Sequence, residues 1–386
     1  DEVAGTLAMH FAQAGASDRA FGYYRQAAEV AFSQSAVTHA EKMFDAALDH
    51  APQDNWVRFD LLHEQARVFY SAMRHERWRQ SLEERKQLLA GLAGEDVGRS
   101  MKLHVDRAHY AGAIGDGRAS VDAARDAVAL AERLADDAAL ARAYQHMAFG
   151  YWTQSRMAES VPFFERAVAY AQRAGEREIE STSLVTYAAV GMFSGMPTQA
   201  IRELLMRSFA IAEARGDKRK MAIIYNKYGY LRAAAGLADF DLIEADYQQG
   251  LALTREIGHL HTEEIILSNL GVCFTQKGDY RRAREYFEAC LSVGEVNPDY
   301  WRTFVARHHL GAMYMQMGQL ARARALVQKA SDALNALGNH HFEVKARCDL
   351  GLIHQLSGDH RPARDELART LDLIAGHGDL RFAAQV

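Results

Sequence analysis

Apolar residues recur along this chain at the spacing of one helical face, i, i+3, i+4 and i+7, as at Ile266, Leu267, Leu270 and Phe274. Small residues punctuate that pattern at a fixed interval. Gly271, Gly311 and Gly351 are in register at 40 residues, as are Gly278, Gly318 and Gly358, and Ala283, Ala323 and Ala363. The register runs backward through Gly229 and Gly236, with a two-residue insertion in ADFDLIEADY. It continues through Ala188 and Gly195, Ala148 and Ser155, Ala108 and Gly115, and Ala66 and Met73. Leu7, Ala8, Phe11 and Gly15, followed by Ala20, Tyr24 and Ala27, fit at the start. Gly175, Gly216, Gly258 and Gly338 mark the joints between units. The stretch 33–52 is compressed and reads as a repeat with a shortened first helix.

Each unit predicts a helical hairpin. The small residue at the eighth position of the first helix lets a neighbouring helix cross closely. A glycine able to adopt the left-handed conformation ends that helix. Aspartate then caps the second, as at Asp116, Asp279 and Asp359. Neither helix can bury its apolar face alone, so the units must stack. The expectation is an all-α, right-handed superhelix, an α-solenoid of about nine to ten hairpins with a period of 40–42 residues. It divides into an N-terminal hairpin with the shortened repeat at 1–52 and an array over 53–386.

The composition supports helix and narrows the function. Only five prolines occur in 386 residues, so long runs are free to be helical. With 45 Lys and Arg against 50 Asp and Glu, the net charge of −5 argues against direct nucleic-acid binding. Cys273, Cys290 and Cys348 lack CxxC spacing and read as reduced, buried thiols of a cytoplasmic protein. The chain has no run of 18 uncharged apolar residues, so no membrane association is expected. Both ends fall within helical pattern, so the chain reads as a piece of a longer polypeptide, with self-association through its terminal repeats as a further expectation.

The pattern Leu-Gly, aromatic, Gly-Asp-Tyr, Ala, Phe, Ala in LGVCFTQKGDYRRAREYFEACL resembles the tetratricopeptide (TPR) repeat over essentially the whole chain. The period here is longer than the 34 residues usual for that repeat. The opening segment, LAMHFAQAGASDRAFGYYRQAAEVAFSQSAVTHAEKMFDAAL, resembles the junction that follows the ATPase module in bacterial STAND-class signalling ATPases and transcriptional regulators. That resemblance implies an upstream P-loop ATPase, with ATP and Mg²⁺ bound there, and an attached effector. The class includes a maltotriose-responsive type whose helical repeats bind the inducer. This sequence itself has no GxxxxGK[ST] loop, and no cofactor is expected within it.

Catalytic chemistry has little foothold: GxSxG is absent, and the piece reads as non-enzymatic. The pairs His308-His309 and His340-His341 project about 100° apart on a helix and are poorly placed to share a metal. The runs EERK (83–86) and RRARE (281–285) read as solvated faces.

The TPR resemblance carries more. It assigns positions 2, 5, 9 and 12 of each first helix to a concave groove. These are Asp60, His63, Arg67 and Tyr70, then Lys102, Val105 and His109, then Arg142, Gln145, Phe149 and Trp152. Ile223, Asn226 and Tyr230, and then Ser268 and His308, complete the set. Aromatic residues mixed with Arg, Asn and Gln have the composition of a recognition surface. The candidate site is therefore Arg67, Tyr70, His109, Arg142, Gln145, Phe149, Trp152, Asn226 and Tyr230, for a protein or small-molecule effector. Trp152 falls one position outside the core stripe. The alternative is polar lining of a superhelix with no ligand. Asn226 and Asn269 lack the basic residues of a carboxylate clamp, so binding of a chaperone tail is not expected. The function that follows is a sensor domain of a regulatory ATPase, contacting the other domains of its parent. The alternative is a protein–protein scaffold with no ATPase attached.

Overall fold

The computed structural model describes residues 2–33, 36–72, 74–91, 96–154, 156–236, 238–294, 301–336 and 340–377. The register positions Met73 and Ser155, the joint Gly338 and the end of the chain from 378 lie outside them, as do the side chains of His340 and His341. Nineteen helices and no strand occur among the described residues. The fold is an all-α helical solenoid of TPR type.

Contacts divide the chain into two units, 1–194 and 195–386. The first contains α1 (Glu2–Gln13), α2 (Ser17–Ser33), α3 (Val37–Asp49), α4 (Asn55–Ser71), α5 (His75–Ala90), α6 (Val97–Ala113), α7 (Gly117–Leu134), α8 (Asp137–Thr153), α9 (Met157–Ala174) and α10 (Arg177–Ser194). The second contains α11 (Thr198–Ala214), α12 (Lys218–Ala235), α13 (Phe240–Glu256), α14 (Leu260–Lys277), α15 (Tyr280–Gly294), α16 (Trp301–Gln316), α17 (Leu320–Ala336), α18 (His340–Leu356) and α19 (His360–His377).

Consecutive helices pack as antiparallel neighbours within each unit. The first helices of successive hairpins also touch each other: α4 with α6 and α6 with α8 in one unit, α12 with α14 and α14 with α16 in the other. The compressed stretch departs from expectation. Its described residues form a single helix, α3, which packs on α2 and α4.

The small residues at the eighth position answer to a specific neighbour. A Cβ on Gly271 would stand 2.5 Å from the Phe287 ring, and one on Gly229 would stand 2.8 Å from Tyr247. Both aromatic side chains are fully buried. The glycine therefore admits the large side chain of the second helix in its own hairpin. Where the eighth residue is alanine, as at Ala148, the partner is still aromatic: Phe164, also fully buried. Helix ends follow the sequence pattern as well. Gly115, Gly278, Gly318 and Gly358 have φ between 72° and 84°. Asp116 and Asp279 accept hydrogen bonds from the amides of Ala119 and Arg282 at 2.9 and 3.1 Å. Asp359 instead faces Arg324 and His354 at 3.6 Å.

Candidate functional site

In the first unit a row of rings crosses the first helices. Tyr70 on α4 meets His109 on α6 with ring centroids 4.5 Å apart, and His109 stacks on His146 of α8 at 4.8 Å. Trp78 of α5, almost fully buried, braces the row edge-on, 5.0 Å from His109 and 5.8 Å from Tyr70. Burial holds both imidazoles below their ordinary range. His146, with His109 adding a smaller effect, is brought down to about 3. Both rings are therefore neutral near pH 7. They present stacking faces and one acceptor nitrogen each.

Beside the row lie the polar candidates of α8. Arg142 is exposed and makes no hydrogen bond or ion pair among the described residues, and Gln145 is half-buried. Phe149 packs edge-on against Trp152 at 5.2 Å. Trp152 does not stand clear of the core as its position suggested. It is half-buried against the cluster of Ala148, Phe164 and Val190, because its indole reaches the space between α8, α9 and α10. Arg67 is exposed, ion-pairs with Glu29 and lies over the Phe32 ring at 5.0 Å.

Much of the polar lining is spent on joining repeats. Asp60 pairs with Arg99 at 2.6 Å, and His63 Nδ1 donates to Asp106 at 2.6 Å. Arg85, expected on a solvated face, has no exposed surface at all. It donates to Asp106 at 2.5 Å and its guanidinium lies 5.7 Å from the centre of the Phe59 ring. Burial alone would raise the Asp106 carboxyl. The Arg85 charge and the bonds from His63 and Arg85 outweigh it and hold the carboxyl well below the usual carboxylate range. The RRARE run behaves partly as expected: Arg281 pairs with Glu285 at 2.8 Å, while Arg282 reaches Glu244 on α13.

In the second unit, Asn226 is buried and its Oδ1 accepts from Asn269 at 2.8 Å, while Tyr230 is exposed. Ser268 meets His309 at 3.1 Å and His308 meets Asp349 at 2.7 Å, so the same cross-repeat pairing continues there. Cys273 and Cys290 are buried and Cys348 is half-buried. Among the described residues no three His, Cys, Asp or Glu side chains converge as a metal site would require, and no helix is long and apolar enough to cross a membrane.

The second unit also holds a cavity of about 330 Å³ between α11, α12 and α13 that the groove positions do not include. Arg202, Met206 and Phe209 line it from α11, Tyr225, Tyr228, Leu231 and Arg232 from α12, and Asp246 from α13. The sequence signal for it is a second stripe. On α11 the buried stripe is Ile201, Leu205, Ser208 and Ala212, and a cation–apolar stripe runs beside it at Arg202, Met206 and Phe209.

Comparison with known proteins agrees with this architecture. The tetratricopeptide-repeat family profile matches residues 266–296 and 302–374. The chain thus contains TPR repeats in its second half. No curated protein matches it in sequence. Among solved structures it is similar to a Rap protein complexed with Competence and Sporulation Factor, with a TM-score of 0.66, 13% identity, and coverage of 95% of this chain and all of the other. It is also similar to the apo form of the quorum sensor NprR from B. thuringiensis, with a TM-score of 0.62, 10% identity, and coverage of 94% and 99%. A third is aspartyl phosphate phosphatase F from Bacillus subtilis, with a TM-score of 0.60, 10% identity, and coverage of 92% and 93%. At these identities the likeness concerns the fold.

Proposed function

We propose that this chain is a non-catalytic interaction domain that senses a peptide or protein partner along the first helices of its N-terminal unit. The observation that carries this reading is Arg142, a guanidinium with no partner of its own, beside the neutral ring row of Tyr70, His109 and His146. Rigid aromatic faces supply contact area at low entropic cost, and an unpaired guanidinium supplies directional bonds to a carboxylate or carbonyl. A TPR-type solenoid is a common scaffold for such surfaces. A Rap protein complexed with Competence and Sporulation Factor and the quorum sensor NprR, both of similar fold, are precedents by analogy alone. The opening 52 residues favour a regulatory ATPase of the STAND class as the setting. A scaffold with no ATPase attached fits the same surface.

A peptide selected from a random library on the full chain tests the surface. Arg142→Glu lies at an exposed position, so it should leave the helical signal intact and weaken the selected peptide by about 2 kcal/mol or more. Peptides that bind this variant at full strength would overturn the assignment. Trp152→Ala is a poorer test, because truncating that indole also opens the packing around Phe164.

A further inference from the structure

From the cavity between α11, α12 and α13 we infer that the C-terminal unit has a second site, separate from the ring row, which takes a carboxylate attached to an aromatic ring. Three observations converge on that chemistry.

The first is charge. Arg232 Nε and Asp246 Oδ2 are 2.7 Å apart, so these two charges offset each other within the cavity wall. Arg202, exposed at the rim, makes no hydrogen bond or ion pair among the described residues. The cavity therefore carries one uncompensated positive charge on a planar fork suited to a carboxylate.

The second is the wall. Phe209 and Tyr225 meet edge-on with centroids 5.3 Å apart, Leu231 is buried at the floor, and Met206 stands 57% exposed at the mouth. An exposed thioether beside an aromatic pair is an adaptable apolar surface for a planar body. Tyr228 adds a donor. Burial raises its phenol to about 12, with Asp246 adding to the effect, so the hydroxyl keeps its proton at neutral pH.

The third is orientation. Tyr225, Tyr228 and Arg232 follow one stripe of α12, whereas Asn226 pairs with Asn269 of α14 from another. The cavity thus opens beside the second helices and leaves the pairing between first helices undisturbed. Its volume lies at the lower end of the range for small-molecule sites. That suits a free aryl acid or the terminal aromatic residue of a peptide.

Calorimetry on the full chain with phenylacetate and phenylacetamide tests the site. Phenylacetate should bind with a dissociation constant of about 1–10 mM, as expected of a fragment of its size. The amide should bind at least about tenfold more weakly, because it lacks the charge for Arg202. Arg202→Gln, at an exposed position, should lower phenylacetate affinity by a similar factor, while Arg142→Glu should leave it unchanged. A short peptide ending in Phe with a free carboxylate, run beside its C-terminal amide, separates the two sources. Tighter binding of the peptide acid than of phenylacetate assigns the site to chain ends, and weaker binding assigns it to free acids. Equal binding of acid and amide, full affinity in Arg202→Gln, or no binding by any acid up to about 10 mM would each overturn the inference.

Discussion

Gly271 shows how a single position ties sequence to packing. The ring of Phe287 occupies the volume that a Cβ on Gly271 would need. Gly271→Leu should therefore destabilise the chain by about 2–3 kcal/mol through overpacking. Adding Phe287→Ala should recover part of that loss, because the space taken by one side chain is vacated by the other. Urea titrations of the two single variants and the double variant measure the coupling. Additive losses would show that the two side chains do not compete for one space. Ala135 is the opposite case. It is the described non-glycine residue with positive φ, at φ 51° and ψ 38°, and it ends α7 at a joint where Gly175, Gly216 and Gly258 stand elsewhere. An L-residue in that conformation costs about 1–2 kcal/mol. Glycine removes the strain but adds about 0.5–1 kcal/mol of chain entropy. Ala135→Gly should thus raise the urea midpoint by the equivalent of about 0.5–1 kcal/mol with an unchanged slope. A lower midpoint would contradict the left-handed cap.

At the scale of the helix, the hairpins were legible in the sequence because each rests on constraints local to one repeat. Gly271 must be small for Phe287, Gly278 must turn left-handed, and Asp279 must cap, all within some twenty residues. Contacts across repeats were harder to read. Arg85 sits in the charged run EERK, and only the fold shows that Asp106, about twenty residues on, brings a carboxylate to it in a place without solvent. Asn226 and Asn269 stand one pattern position apart in successive repeats, and their 2.8 Å bond depends on how closely α12 and α14 approach. Trp152 was misplaced for a related reason. A side chain of that size reaches past its nominal stripe, packing against Phe164 of its own hairpin and Val190 of the next. The cavity of the second unit left a fainter mark. α11 and α12 each carry two stripes one residue apart, and α13, the third wall, begins within the stretch that holds the two-residue insertion. These second stripes also join the helices, since Tyr225 meets the Phe209 ring and Arg232 pairs with Asp246, so packing alone hides the cavity from a reading of the sequence.

Taken as a whole molecule, the protein has its acid sensitivity built into both units. His146 in the first and His309 in the second are each brought down to about 3, chiefly by burial. In the unfolded chain an imidazole takes its proton near 6.5. Below that pH the unfolded chain binds protons that the folded chain refuses. Stability is therefore full above about 6.5, falls as the pH is lowered, and has lost these two contributions by about 3. Each such group contributes a slope of at most about 1.4 kcal/mol per pH unit in that window. Asp106 acts lower in the range. Its folded carboxyl is held below the ordinary value, so its contribution is present above about 4 and is lost as the pH falls further. Replacing His146 with phenylalanine keeps a ring against His109 and removes the titrating nitrogen. Between pH 6 and 4 the stability of His146→Phe should therefore decline less steeply than that of the parent, with the two differing most at the acid end. The parent's His146 ring should show no chemical-shift titration through pH 5 by NMR. A ring that titrates near 6.5, or equal slopes for parent and variant, would mean that the stacked pair accepts its proton without unfolding. The ring row would then be cationic at mildly acidic pH and would repel the guanidinium of a basic partner.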